Sequence, residues 1–396
     1  MSGLTHHKME NSDMVIYFSS FFISVLLLFM AEKKYFSNKF LTIIALIIPI
    51  LLAGLRKEGI GTDTEVYANV LYQAAKEAND FFDYLGKNVY SSFQNKPVSN
   101  WEIGYNLLVY VSVKLTGSFQ GILFFTHFFI IFLIYKGLKD FKGYFWTFWA
   151  ILIFYFMFYG SSLNIMRQWL AIAIIFYGTH YLQQNKDERF IAMVLIAMLF
   201  HNSAFIGMII WLVYKYLQAG DVKKKLLING KVIDNDIIKI LMILLTGIIA
   251  LLGLSVIANF LGSINSVFAR YVRLYISGTV HLMPMQVLRR LPLLLLMVIN
   301  WRRLRVTSPS VPFLYCMTIL DLIASQLGGI TAQSSRIGYY FSIYEIILLA
   351  ELTYVQKGKK RILYYILIAI YSIAVFYYDN ILMGRAEIVP YLFYFN

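Results

Sequence analysis

Charge and cysteine are both scarce in this sequence. Asp, Glu, Lys and Arg make up 14% of its 396 residues, where a soluble domain carries roughly 25%. Hydrophobic residues fill the gap at 59% of the chain, with a mean hydropathy of +0.66. That balance excludes a soluble enzyme. The one cysteine, Cys316, sits in an apolar run, which excludes an internal disulfide and a cysteine-based metal cluster. No cleavable signal is visible, since Lys8 stands against Glu10 and Asp13 before Met14, while Lys33 and Lys34 follow the first apolar run. No internal repeat of either hand appears, which argues against transporter architectures assembled from repeated halves.

What the chain does have is long apolar runs. They lie at Met14–Ala31, Phe40–Leu55, Phe119–Tyr135, Tyr144–Gly160, Gln168–Gln183, Ile237–Ala258, Gln286–Asn300, Val311–Gly328, Ile337–Val355 and Ile362–Tyr378. Each approaches or matches the roughly 20 residues that cross a bilayer core. Phe190–Leu217 is longer and is interrupted by His201-Asn202. As one helix it would reach about 42 Å, well beyond a core of about 30 Å.

Basic residues arbitrate. Of the 35 Lys and Arg, 21 fall in six clusters between the runs. Those clusters share one side, as cytoplasmic loops should, only if Phe190–Leu217 turns back at His201 and Trp101–Thr116 does not cross. The expectation is an all-α polytopic membrane protein of about twelve segments, ten spans and two short arms meeting at His201. Both termini then lie outside, in a single membrane domain over residues 1–396. Residues 56–118 form a large extracytoplasmic loop whose Trp101–Leu108 stretch opens an interfacial helix, and residues 259–285 form a second. The net charge of +14 is mostly this inside bias and gives no reason to expect nucleic acid as a partner.

Polar residues near membrane depth then stand out. Gly59 and Gly61 permit a tight turn that folds Asp63 back toward Arg56. Arg167, Arg270, Arg273, Arg289, Arg290 and Arg336 all map to the outer side, against the usual bias. The guanidinium fork suits diphosphate oxygens, and several arginines together can compensate a departing diphosphate without metal. The competing reading pairs them with Glu58, Glu65 and Glu102, or anchors lipid headgroups. Gln333 and Arg336 cap an outer helix start. Asp63-Thr64-Glu65 is a weak metal motif without further oxygen ligands. Asp321 and Glu345 read as paired intramembrane acids. His201, at the helix break, is a candidate base near neutral pH, and Tyr67, Trp101, Tyr105, Tyr271 and Tyr275 are aromatics near the proposed site.

Gly54-Leu55-Arg56, Gly61-Thr62-Asp63-Thr64 with Tyr67, Asn164 with Arg167-Gln168, Phe200-His201-Asn202-Ser203-Ala204, and Arg336 with Tyr339 or Tyr340 follow in order. Together, from about residue 40 to residue 355, this constellation resembles the EpsG/Wzy-like family of bacterial polysaccharide polymerases. The resemblance implies a metal-independent, cofactor-free membrane glycosyltransferase similar to the GT-C class, in the bacterial cytoplasmic membrane. A growing glycan on undecaprenyl diphosphate would pass to the terminal sugar of a lipid-linked repeat unit at the outer face. Partners are those lipid-linked oligosaccharides, membrane lipid and a chain-length regulator protein. On that reading Arg56, Arg167 and Arg336 bind the diphosphate, with Arg270 or Arg273 assisting. Tyr67, Asn164, Gln168 and Tyr339 contact sugar, and His201 or Asp63 serves the acceptor hydroxyl, with His201 preferred. A ligase, a single-sugar transferase and a lipid-linked oligosaccharide flippase remain alternatives.

Overall fold

Apolar runs of this length have one way to satisfy their backbone groups away from water, which is to bond within the segment as helices. In a computed structural model the chain does so almost throughout. The structure describes residues 11–33, 38–91, 94–219, 226–228, 231–233, 235–253, 260, 263, 282–331 and 334–395.

Helices α1 (Asn11–Glu32) and α2 (Asn38–Gly54) pack side by side, and α2 leads into the turn at Gly59 and Gly61. Both glycines hold positive φ, +96° and +87°. A Cβ on Gly61 would also lie 2.8 Å from the Leu163 carbonyl oxygen, so the turn presses on its neighbour. A π turn over Thr64–Ala68 runs into α3 (Asn69–Glu77), α4 (Phe81–Gly86) and an antiparallel hairpin of β1 (Asn88–Ser91) and β2 (Gln94–Pro97). Helix α5 (Ile103–Thr116) closes this unit over its own small core of Tyr67, Leu71, Tyr84 and Tyr105. At 14 residues, about 21 Å, α5 is too short to cross a bilayer core unaided.

The main bundle continues with α6 (Phe119–Asp140), α7 (Thr147–Met157), the short α8 (Tyr159–Asn164) and α9 (Met166–Gln183). Helix α6 packs on α2 and α9. The long run after it is broken as its length requires: α10 (Asp187–Met198) ends before His201, a 3-10 turn spans Asn202–Phe205, and α11 (Ile206–Gln218) turns back against α10. The tip of this hairpin docks on the start of α5. Gly104 N donates to Leu199 O at 2.7 Å, and a Cβ on Gly104 would meet that same oxygen at 2.7 Å.

A second short hairpin, β3 (Leu226–Ile228) with β4 (Lys231–Ile233), precedes α12 (Asn235–Leu252). Beyond it lie α13 (Pro284–Thr307), α14 (Val311–Ser325), the short α15 (Tyr339–Ser342), α16 (Glu345–Tyr354) and α17 (Gly358–Phe376). Among the described residues, five helices are long and apolar enough to cross a membrane: Met14–Glu32, Phe119–Asp140, Asn235–Leu252, Val311–Gly329 and Gly358–Leu382.

The core between them is aromatic. Tyr17, Phe21, Tyr155 and Tyr159 interlock where α1 meets α7 and α8, and Trp169 lies against Phe154, Phe158 and Tyr339. After α17 the C-terminal tail folds back over the bundle end. Lys57 N donates to Leu392 O at 2.8 Å, Tyr391 Oη to Leu52 O at 2.7 Å, and Tyr17 Oη to Ile388 O at 2.9 Å. The beginning of α1, the Gly59–Gly61 turn and the tail therefore occupy one end of the bundle.

Candidate active site

At that end the Arg56 side chain is committed to the backbone around it. Its side chain is fully buried, and its guanidinium donates to three carbonyls: Ala53 O at 2.8 Å, Leu163 O at 3.0 Å and Ile60 O at 3.2 Å. Nη2 also lies 3.2 Å from Met166 Sδ. Arg56 fastens the end of α2 to the α8–α9 junction and leaves no fork for a ligand. The turn likewise delivers Asp63 elsewhere than toward Arg56.

Asp63 accepts from Tyr67 Oη one helical turn on and from the Met166 backbone. Burial raises its carboxyl above the ordinary carboxylate range, while the Tyr67 bond and the charges of Arg167 and Arg336 oppose that rise. Arg167, at the start of α9, lies over the Tyr67 ring at 4.3 Å and donates from Nη1 to Glu102 Oε2 at 2.6 Å. The other Glu102 oxygen accepts from Asn202 N at 3.3 Å, so one carboxylate ties Arg167 to the helix break. His201 caps that break: its Nδ1 accepts from Ser203 N at 3.2 Å and lies 2.7 Å from Ser203 Oγ. Ser203 Oγ in turn meets Tyr340 Oη at 3.0 Å. Asp63, Tyr67, Arg167 and His201 are thus brought together, with Glu102 as the link that the sequence reading offered only as a pairing acid.

Beside this cluster opens a cavity of about 290 Å³. Four arginines line it, Arg289, Arg290, Arg336 and Arg385, against two aspartates, Asp321 and Asp379. Asp379 takes Arg289 and Arg385, each at 2.9 Å, and Asp321 pairs with Arg290. Arg336 has no carboxylate within ion-pair distance among the described residues. Its backbone is held, since Gln168 Nε2 donates to Arg336 O at 3.0 Å. Asn164 and Tyr339 also line the cavity. Asn164 Nδ2 donates to Arg385 O at 3.2 Å, while its Oδ1 and the Nε of Arg167 are buried without a partner among the described residues.

Sequence reasoning missed Arg385 and Asp379, which follow the last apolar run, and Lys96 on β2. Lys96 Nζ stands 4.2 Å over the Trp101 ring, its ammonium pushed down by burial and by Arg167. Gln168 is buried and serves the backbone rather than an open face. Arg270 and Arg273, with Tyr271, Tyr275 and Gln333, lie outside the described residues. The acids Asp63 and Glu65 do not form a pair, because Glu65 Oε1 lies against Gly59 while Asp63 turns to Tyr67.

Apolar crossing helices with a basic, partly unsatisfied cavity at one end define a helical multi-pass membrane protein with a polar site at the bundle end. The family model of the EpsG family matches residues 39–393, and the chain belongs to that family. Membership ties it to polysaccharide biosynthesis, to a polymerase of glycosyltransferase-like chemistry. No curated protein and no solved structure matches the chain.

Proposed function

We propose that this protein elongates a polysaccharide at the outer face of the bacterial cytoplasmic membrane. The donor is a glycan on undecaprenyl diphosphate and the acceptor a lipid-linked repeat unit. The observation that carries the reading is Arg336, a guanidinium without an acidic partner among the described residues, in a cavity with three further arginines beside the half-buried Asp63. Such a cavity suits a diphosphate, whose oxygens match the guanidinium fork.

In the reaction, the bond from the anomeric carbon to the diphosphate oxygen breaks and its electron pair leaves with the diphosphate. Arg336, with Arg289 and Arg385 behind it, stabilises that charge, and preorganised donors do so without reorganisation. The acceptor hydroxyl oxygen bonds to the anomeric carbon, and its proton passes to the Asp63 carboxylate. Asp63 takes the base role over His201 for a geometric reason. His201 Nδ1 is spent as the acceptor of the Ser203 N–H, so in the neutral ring the proton sits on Nε2, which donates and cannot accept. His201 Nε2 then orients a sugar oxygen. Arg167 holds Tyr67 from above, and Asn164 and Tyr339, which line the cavity, face the sugar.

The chemistry needs no metal, because the arginines supply the positive charge. The bundle is read as one domain of about twelve membrane segments, similar to membrane-embedded glycosyltransferases of the GT-C class. Its site end and both termini face outward, residues 56–118 and 259–285 form the outer loops, and a chain-length regulator is an expected partner.

The test is a surface-glycan gel from a strain lacking the gene, complemented with wild type or Arg336→Ala. Collapse of a ladder to a single-repeat band that only wild type restores supports polymerisation. Long polymer accumulating on the lipid carrier would instead identify a ligase, and an unchanged ladder would remove the polymerase reading.

A further inference from the structure

A second cavity, about 670 Å³ among the described residues, lies between α11, α12 and α14. That volume falls within the range of roughly 300–1,000 Å³ typical of ligand pockets. Its lining is apolar except at Thr246 and the Tyr216 hydroxyl. Ile209 and Leu212 of α11 form one wall, Ala250 and Leu251 of α12 the other, and Ile323 of α14 the floor. Gly247 lets α12 settle onto that floor, since a Cβ there would lie 2.4 Å from Ile323 Cδ1.

Its position relative to the basic cavity gives it meaning. Two chain segments separate the two cavities and line both. On the first, Ala324 and Leu327 face the groove while Ser325 and Gly328 face the arginines. On the second, Ile337 faces the groove while Arg336 and Gly338 face the arginines. From Ile206 at this end the groove follows α11 to Tyr216, ten residues, or about 15 Å of helix. That is about half of a bilayer core of roughly 30 Å.

We infer that this groove holds the first part of the polyprenyl chain of the donor lipid, while Arg336 on the other side of the shared wall holds its diphosphate. This inference rests on the reading of the basic cavity as a diphosphate site and adds where the tail lies. A molecule with a diphosphate at one end and a long hydrocarbon at the other matches the two cavities in order, charge and apolarity. The groove depth leaves the rest of the tail in the bilayer.

The experiment uses the full chain in phospholipid nanodiscs with a diazirine-bearing polyprenyl diphosphate, and crosslinks are mapped by mass spectrometry. The expected crosslinks fall on α11 and α12. Excess undecaprenyl diphosphate removes them, an added phospholipid of equal chain content does not, and the groove-filling Ala250→Trp loses them. Competition by phospholipid equal to that by undecaprenyl diphosphate makes the groove an ordinary lipid contact and overturns the inference. Crosslinks confined to other helices but lost in Arg336→Ala also overturn it, while leaving the diphosphate site standing. No competable crosslink anywhere on the chain would sink both the groove and the donor reading.

Discussion

Arg167 and Glu102, 65 residues apart, meet through a 2.6 Å contact between Nη1 and Oε2, and the same carboxylate receives the Asn202 backbone N–H. One acid thereby joins the first turn of α9, the start of α5 and the break at His201. The pair is largely buried, with the Glu102 side chain 10% exposed. Removing one partner of such a pair leaves an uncompensated charge, which costs on the order of 3 kcal/mol. Glu102→Ala is therefore expected to lower the unfolding temperature of the detergent-solubilised protein and to abolish elongation. Glu102→Gln keeps an acceptor oxygen for one of the two donors and turns an NH2 toward the other, so it should recover part of the stability but little of the activity. Unchanged elongation in Glu102→Ala at normal protein level would remove Arg167 positioning from the mechanism.

Arg336 makes the opposite prediction, because no acid depends on it among the described residues. Arg336→Ala should change stability by less than about 1 kcal/mol, yet reduce elongation by about 10²–10³-fold, the scale of a lost oxyanion donor. Arg290→Ala strands the buried Asp321 and should cost about 3–5 kcal/mol. Thermal unfolding of the two variants, read beside their glycan ladders, separates a ligand arginine from a structural one. Equal destabilisation of both would remove the distinction.

Arg56 belongs with the structural arginines. Three carbonyl partners converge on it, and hydrogen bonds to a charged group contribute about 1.5–3 kcal/mol each before coupling. Arg56→Ala is expected to lower the amount of inserted protein, and Arg56→Lys to do so only slightly less, since an ammonium cannot reproduce the fork. The measurement is membrane protein level by immunoblot. A variant that inserts normally and lacks polymer would return Arg56 to the substrate site.

Much of this architecture was legible before the structure. The apolar runs anticipate the helices, and a 28-residue run too long for a bilayer anticipates the break at His201. Asp321 and Glu345 both read as paired acids; Asp321 pairs with Arg290, whereas Glu345 has no ion-pair partner among the described residues. What the sequence leaves hidden shares a cause, which is that it concerns partners distant in sequence. Nothing around Arg56 in the sequence announces its carbonyl partner at Leu163, 107 positions on. Arg385 and Asp379 carry no motif; Asp379, on the turn that continues α17, holds both Arg289 and Arg385 at the site. Nor can residue types alone reveal which nitrogen of His201 is already occupied.

The base assignment carries its own test in the pH dependence of elongation. As the proposed base Asp63 would act as a carboxylate, so activity should be lost as pH falls through its pKa and be present above it. Burial has raised that pKa above the ordinary aspartate value near 3.9, against the pull of Tyr67, Arg167 and Arg336. Tyr67→Phe keeps the ring beneath Arg167 but deletes a hydrogen bond that favours the charged form. The acid limb of kcat/KM with purified lipid-linked substrate should therefore move upward. Arg336→Lys preserves the charge and should leave the limb in place while lowering kcat. Asp63→Asn should be inactive across the range, and Asp63→Glu should retain a displaced limb. If Tyr67→Phe leaves the limb where it was, the titrating base is some group other than Asp63.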